Sequence, residues 1–99
     1  MHSNNKGLIQ SLWNTVQQFI ETKQYGSAEL ELNRYQEILI KNPDFFQMHS
    51  FIKNHQNELY NAWLWLWRGL QLYPDDLDLK KEMAVMTELV KIKDAYHHS

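Results

Sequence analysis

Residues Glu58–Tyr73 read ELYNAWLWLWRGLQLY, and the fold turns on whether this stretch is a strand or a helix. Three of the four tryptophans lie in it, at Trp63, Trp65 and Trp67. A strand, with its period of two, would put all three on one face, whereas a helix at about 100° per residue separates them. The helical reading yields a continuous stripe of Ala62, Leu66, Gly69 and Tyr73, widened by Leu59, Trp63, Trp67 and Leu70. Tyr60, Leu64, Trp65 and Leu72 fall outside it. A helix that is apolar on more than one side must be covered from more than one side.

The flanking chain carries the same period. From Gly7 onward, Leu8, Ile9, Leu12, Trp13, Val16, Phe19 and Ile20 recur at spacings of three and four, with Gln10, Asn14, Gln17, Gln18 and Glu21 between them. A stop is expected near 23–26, with Gly26 supplying a tight turn and Ser27 capping the next helix. Ala28, Leu32, Tyr35 and Leu39 form the stripe of that second helix. Asn42-Pro43-Asp44 ends it, because a residue before proline is biased away from the helical region. Asp44 is then the expected cap of a third helix over roughly 44–56, with Phe45, Phe46, Met48, Phe51 and Ile52 as its apolar positions. Beyond the tryptophan helix, Tyr73-Pro74-Asp75-Asp76 is a second stop and cap signal. A last helix over about 76–96 shows two adjacent apolar stripes: Leu79, Met83, Met86 and Val90, then Val85, Leu89, Ile92 and Tyr96.

The totals bound the class. Ninety-nine residues, 43% of them hydrophobic, are enough for one folded domain with one core. Residues 1–6 and 97–99 read as disordered tails around a single domain at 7–96. Ten Lys plus Arg against 12 Asp plus Glu leave a net charge of -2, which offers nucleic acid no basic footprint. With 0 cysteines, disulfides and thiolate metal sites are excluded. MHSNNKG lacks the apolar core of a signal peptide, and the longest apolar run, 62–67, is far short of the ~20 residues of a membrane span. A soluble, cytoplasmic protein is the expectation.

The stripe of the second helix recurs. Ala28-x3-Leu32-x2-Tyr35-x3-Leu39 returns 34 residues later as Ala62-x3-Leu66-x2-Gly69-x3-Tyr73. Tyr25 and Leu59 share that offset, as do Leu12 and Phe46. A period of ~34 residues carrying two helices is that of the tetratricopeptide repeat. The second unit, Pro43–Asp76, resembles this family in Phe46, Ser50, Ala62, Leu66, Gly69 and Pro74. The first, about 9–42, resembles it in Tyr25, Ala28 and Leu32, but has Val16 where a small residue is usual. His49 and Lys53 stand in place of the usual leucine and tyrosine. Pro43 lies three residues beyond the family's proline, so the second helix is expected to run one turn longer. The resemblance implies an all-α fold of five helices: two antiparallel hairpins in a right-handed stack, plus a C-terminal capping helix. Two units are fewer than such arrays usually need, so a partner chain or self-association is a further expected source of cover.

Proteins of this type usually bind other proteins along the surface of the first helix of each hairpin. By that resemblance the partner-binding positions are Trp13, Gln17 and Glu21, then Gln47, Phe51, Asn54 and His55, with one stripe of the last helix completing the wall. A helix or an extended peptide suits such a mixture of apolar, amide and imidazole groups. The expected role is an adaptor. A small chaperone of a secretion-type system, holding an aggregation-prone partner, is the alternative drawn from fold. Peripheral membrane binding through Trp63, Trp65, Trp67 and Arg68 is a second alternative, weakened by the lack of a strongly charged face. An enzyme would have to use His49, His55 and Glu58, whose spacing matches no catalytic or metal motif, so no activity, metal or cofactor is expected. Tyr60, Leu64 and Trp65 exceed what one repeat need bury. At least one of them is expected at the surface or at a contact with another chain.

Overall fold

The computed structural model describes the backbone of residues 5–98 and the side chains of 6–96. Among these residues every regular element is helical: α1 (Asn5–Glu21), α2 (Tyr25–Arg34), α3 (Gln36–Leu39), α4 (Pro43–His55), α5 (Leu59–Leu72) and α6 (Leu77–His98). The all-α expectation holds, but five helices become six. The second helix does not run on by a turn; it breaks at Tyr35, where the backbone turns to φ -111 and ψ 18. Thirty-four residues on, the position of Tyr35 is taken by Gly69. A Cβ there would lie 2.9 Å from Phe46 Cβ and 3.1 Å from Leu79 Cδ1. The redirected turn, α3, packs Leu39 into the core against α4.

The connections repeat more faithfully than the helices. α1 closes at Lys23, which takes φ 60, with Gln24 N–H donating to Phe19 O at 2.7 Å and Lys23 N–H to Ile20 O at 3.0 Å. α4 closes at Asn57, φ 63, with Glu58 N–H on Lys53 O at 2.9 Å and Asn57 N–H on Asn54 O at 3.0 Å. Each is a Schellman closure, in which a left-handed residue lets two amides satisfy the last carbonyls. The next residues, Gln24 and Glu58, have nearly the same backbone, φ -98 ψ 66 and φ -101 ψ 72. The ends of α1 and α4, the starts of α2 and α5, and the starts of α4 and α6 are all 34 residues apart. Gly26 and Ser27 therefore have other roles than expected: both lie inside α2, which has no side-chain cap. Asp44 is not the cap of α4 either. Asn42 is, accepting from Asp44 N–H at 2.9 Å with Pro43 in the first turn. Asp76 does cap α6, accepting from Leu79 N–H at 2.9 Å. Of the expected tails, residues 1–4 and Ser99 lie outside the described residues, and the helices α1 and α6 extend into the rest.

α4 is the central element. It packs most extensively on α5 and also meets α1, α2, α3 and α6, while α1 pairs with α2 and α5 with α6. With helices ~10 Å across, the overall extents of 54 × 33 × 17 Å leave room for two layers. Leu12, Val16, Ala28, Leu32, Met48, Ile52, Ala62, Leu66, Leu79 and Met86 form the middle of one continuous core. In α5 the buried stripe is Ala62, Leu66 and Gly69. Trp63 turns toward α6, its Nε1–H donating to Thr87 Oγ1 at 3.0 Å. Trp67, expected to meet a neighbouring element, is 43% exposed, while Trp65 packs on Phe45 and Phe46. Helical arithmetic accounts for the exchange: Trp65 lies about 60° from the Ala62–Leu66–Gly69 midline and Trp67 roughly 140° on the other side.

Candidate functional site

A hollow in the described surface lies where α1, α4 and α6 converge. It has a volume of about 180 Å³ and is lined by Trp13, Gln47, Ser50, Phe51, Asn54, Leu66, Glu82 and Met86. α1 delivers Trp13 next to buried Leu12 and about one turn before buried Val16, residues that fix the helix face turned to the core. The indole is held at two points. Its Nε1–H donates to Asp44 Oδ1 at 3.4 Å, and the ring meets Phe51 edge to face, 5.8 Å between centroids at 77°. Burial raises the Asp44 pKa above the ordinary carboxylate value; the Trp13 bond opposes that rise, and the charges of Asp76 and Asp78 add to it. α4 sets Gln47, Ser50, Phe51 and Asn54 along one face by their spacings of three and four. α6 closes the far wall with Glu82 and Met86.

Of the seven residues expected to bind a partner, Trp13, Gln47, Phe51 and Asn54 meet at this hollow. His55 stands beside it, its ring 4.5 Å from that of Phe51, and is exposed. Gln17 and Glu21 lie farther along α1, exposed and away from the lining. Sequence reasoning did not single out Glu82. Its signal was available: it is one turn before Met86 and between the two apolar stripes of α6. Glu82 is the one charged lining residue, so the hollow presents negative rather than positive potential. Pockets for drug-sized ligands span ~300–1,000 Å³, and this one accommodates a single large side chain instead. Apolar contact from Trp13, Phe51, Leu66 and Met86, with amide donors and acceptors at Gln47 and Asn54, suits a side chain carried on a peptide backbone.

The three surplus residues of α5 divide. Tyr60 is 52% exposed, its hydroxyl donating to the Asp94 carboxylate and its ring 5.9 Å from Lys93 Nζ. Leu64 and Trp65 are half-buried. Trp65 stacks on His49 at 4.0 Å and 9°, with the Arg68 guanidinium 5.2 Å from its ring. His49 is buried, and neither ring nitrogen has a hydrogen-bond partner. Burial, aided by the Lys53 cation, lowers its pKa from 6.5 to about 4. His55 is on a different face, and the Glu58 carboxylate accepts from Asn61 Nδ2 at 2.6 Å. The three groups an enzyme would need thus point to three environments. Among the described residues no helix is long and apolar enough to cross a membrane. Compared with family models, curated proteins and solved structures, the chain matches none.

Proposed function

We propose that this chain is a small interaction module of tetratricopeptide type, which binds a helix or extended segment of another protein across α1, α4 and the near edge of α6. The observation that carries this reading is the 34-residue recurrence of helix ends and of the two Schellman closures, with a side-chain-sized hollow on the α1–α4 surface. The order of packing supports it as well: α4 rests on both α1 and α2, and α6 on both α4 and α5. In such a module the partner inserts one apolar side chain between Trp13, Phe51 and Met86. Its backbone or polar flanks bond to Gln47 and Asn54. The negative Glu82 favours a partner segment with a basic residue beside the inserted one. The test is affinity capture with mass spectrometry, comparing the wild type with Asn54→Arg, which fills the hollow from its half-buried rim, and Phe51→Ala. Both variants should remain helical by circular dichroism and lose the same captured proteins. Folded variants that retain the whole captured set would rule out this surface.

A further inference from the structure

We propose that α6 docks in parallel against α6 of a second copy of this chain, forming a two-fold dimer. α6 buries Leu79 and Met86 in the core, yet its Val85, Leu89 and Ile92 are 57%, 36% and 55% exposed. Those three are spaced by four and three, and Tyr96, 81% exposed, follows four later. This is the alternation of the two seam positions of a coiled-coil heptad: Leu89 and Tyr96 at a, Val85 and Ile92 at d. At about 100° per residue, the midline of this stripe lies roughly 100° around the helix from the Leu79–Met86 side. A second helix can therefore lie along it without displacing the core.

Charge selects both the occupant and its direction. In a parallel pair, a g residue faces the e residue five positions later on the other helix. Glu88 is at g and Lys93 at e, five apart, so a two-fold axis along the stripe creates two Glu88–Lys93 pairs beside the Leu89 and Ile92 layers. In an antiparallel pair g faces g and e faces e. Glu88 would then meet Ala95 and Lys93 would meet Met86, with no pairing of charge. The stripe also has a defined end. Glu82 and Asp78 occupy the next a and d positions toward the N-terminus, where two copies would bring like charges together, so the helices part beyond Val85. Among the described residues the contacts of Glu88 and Lys93 are open to solvent. Glu88 is 3.4 Å from Lys91, both side chains well exposed, and Lys93 lies 5.9 Å over the exposed Tyr60 ring.

Fewer than two heptads would not hold two free peptides together. Here α6 is already held helical by Leu79, Met86 and the Trp63–Thr87 bond, so little ordering remains on association. With four seam residues from each copy, the contact belongs with small, weak interfaces, and dissociation is expected in the micromolar range or weaker.

The chain has 0 cysteines, which permits a clean single-cysteine test. Identical seam residues face each other across a parallel axis, so Ile92→Cys should oxidise to a covalent dimer of twice the 12.0 kDa chain. It should do so at least tenfold faster than Ala84→Cys, which lies outside the stripe. Light scattering should show the wild type rising from monomer toward dimer mass between low and several hundred micromolar. Leu89→Glu should stay monomeric with an unchanged melting midpoint. Glu88→Lys should weaken association at least several-fold, and adding Lys93→Glu should restore it. A wild type that stays monomeric at all these concentrations, equal cross-linking of the two cysteine variants, or no response to Glu88→Lys would overturn the proposal. A stripe that instead accepts only the helix of a different protein would appear as the first of these results. None of these substitutions touches Trp13, Phe51 or Asn54, so the dimer and the α1–α4 surface stand or fall separately.

Discussion

Replacing His49 with leucine should make this protein more stable, and increasingly so as the pH falls. The imidazole is 2% exposed, stacks on Trp65 at 4.0 Å and meets Phe45 edge-on at 4.7 Å, with neither nitrogen bonded. A buried polar group without a partner costs about 1–3 kcal/mol, against which the lost aromatic contacts forfeit about 0.5–1.5 kcal/mol. The His49→Leu variant, close in volume, should thus gain about 1 kcal/mol at pH 7.5. The pH dependence follows from the direction of the shift. Burial first, and the Lys53 cation second, hold the folded-state pKa at about 4, below the 6.5 of the unfolded chain. As pH falls through 6.5 the unfolded chain takes up a proton that the folded chain refuses, so folding loses stability until pH reaches about 4. At ~1.36 kcal/mol per unit, that gap amounts to about 3 kcal/mol. The advantage of the variant should grow from about 1 kcal/mol at pH 7.5 to roughly 4 kcal/mol near pH 4. Urea titrations followed by circular dichroism at several pH values measure it. Taking differences between the two proteins cancels the other titrations, including that of Asp44, whose raised pKa works in the opposite direction. A difference that stays flat between pH 7.5 and 4, or a variant less stable at neutral pH, would refute the reasoning.

Three further substitutions test the backbone and packing. Gly69→Ala should destabilise by about 1–2 kcal/mol in urea: the ~1 kcal/mol helix gain is outweighed by overpacking against Phe46 Cβ, which is fixed to the α4 backbone. Gly26→Ala should do the reverse, raising stability by about 0.5–1 kcal/mol, because Gly26 is helical and a Cβ there meets nothing within 4 Å. Asn42→Ala removes the only side-chain cap of α4 and should cost about 1 kcal/mol, visible as a lower melting midpoint.

Much of this architecture is legible in the sequence because the Ala28–Leu32 pair recurs 34 residues later as Ala62–Leu66, and because Asn42-Pro43-Asp44 and Tyr73-Pro74-Asp75-Asp76 mark the stops. What escaped had physical reasons. Tyr35 keeps the helical spacing from Leu32 to Leu39, so periodicity alone gives no sign of the break there. The hairpin closures use Lys23 and Asn57 in the left-handed region, while the glycine that drew attention, Gly26, sits within α2. Lysine at such a site carries no compositional signal. His49 looked like a chemical group by residue type, and its enclosure by Phe45 and Trp65 depends on how α4 and α5 cross. At the hollow, Trp13, Gln47, Phe51 and Asn54 follow from the repeat register. Glu82 and Met86 depend on where α6 lands, which periodicity within one helix does not determine.

The claim that matters most is that partners engage the α1–α4 surface, and site-specific photo-crosslinking in cells tests it most directly. A photoreactive residue at Asn54 or Gln47 should cross-link the same discrete partner, while one at exposed Glu37, in α3 and outside the hollow, should not. Equal yields of that partner from all three positions, or capture from Glu37 alone, would contradict the account.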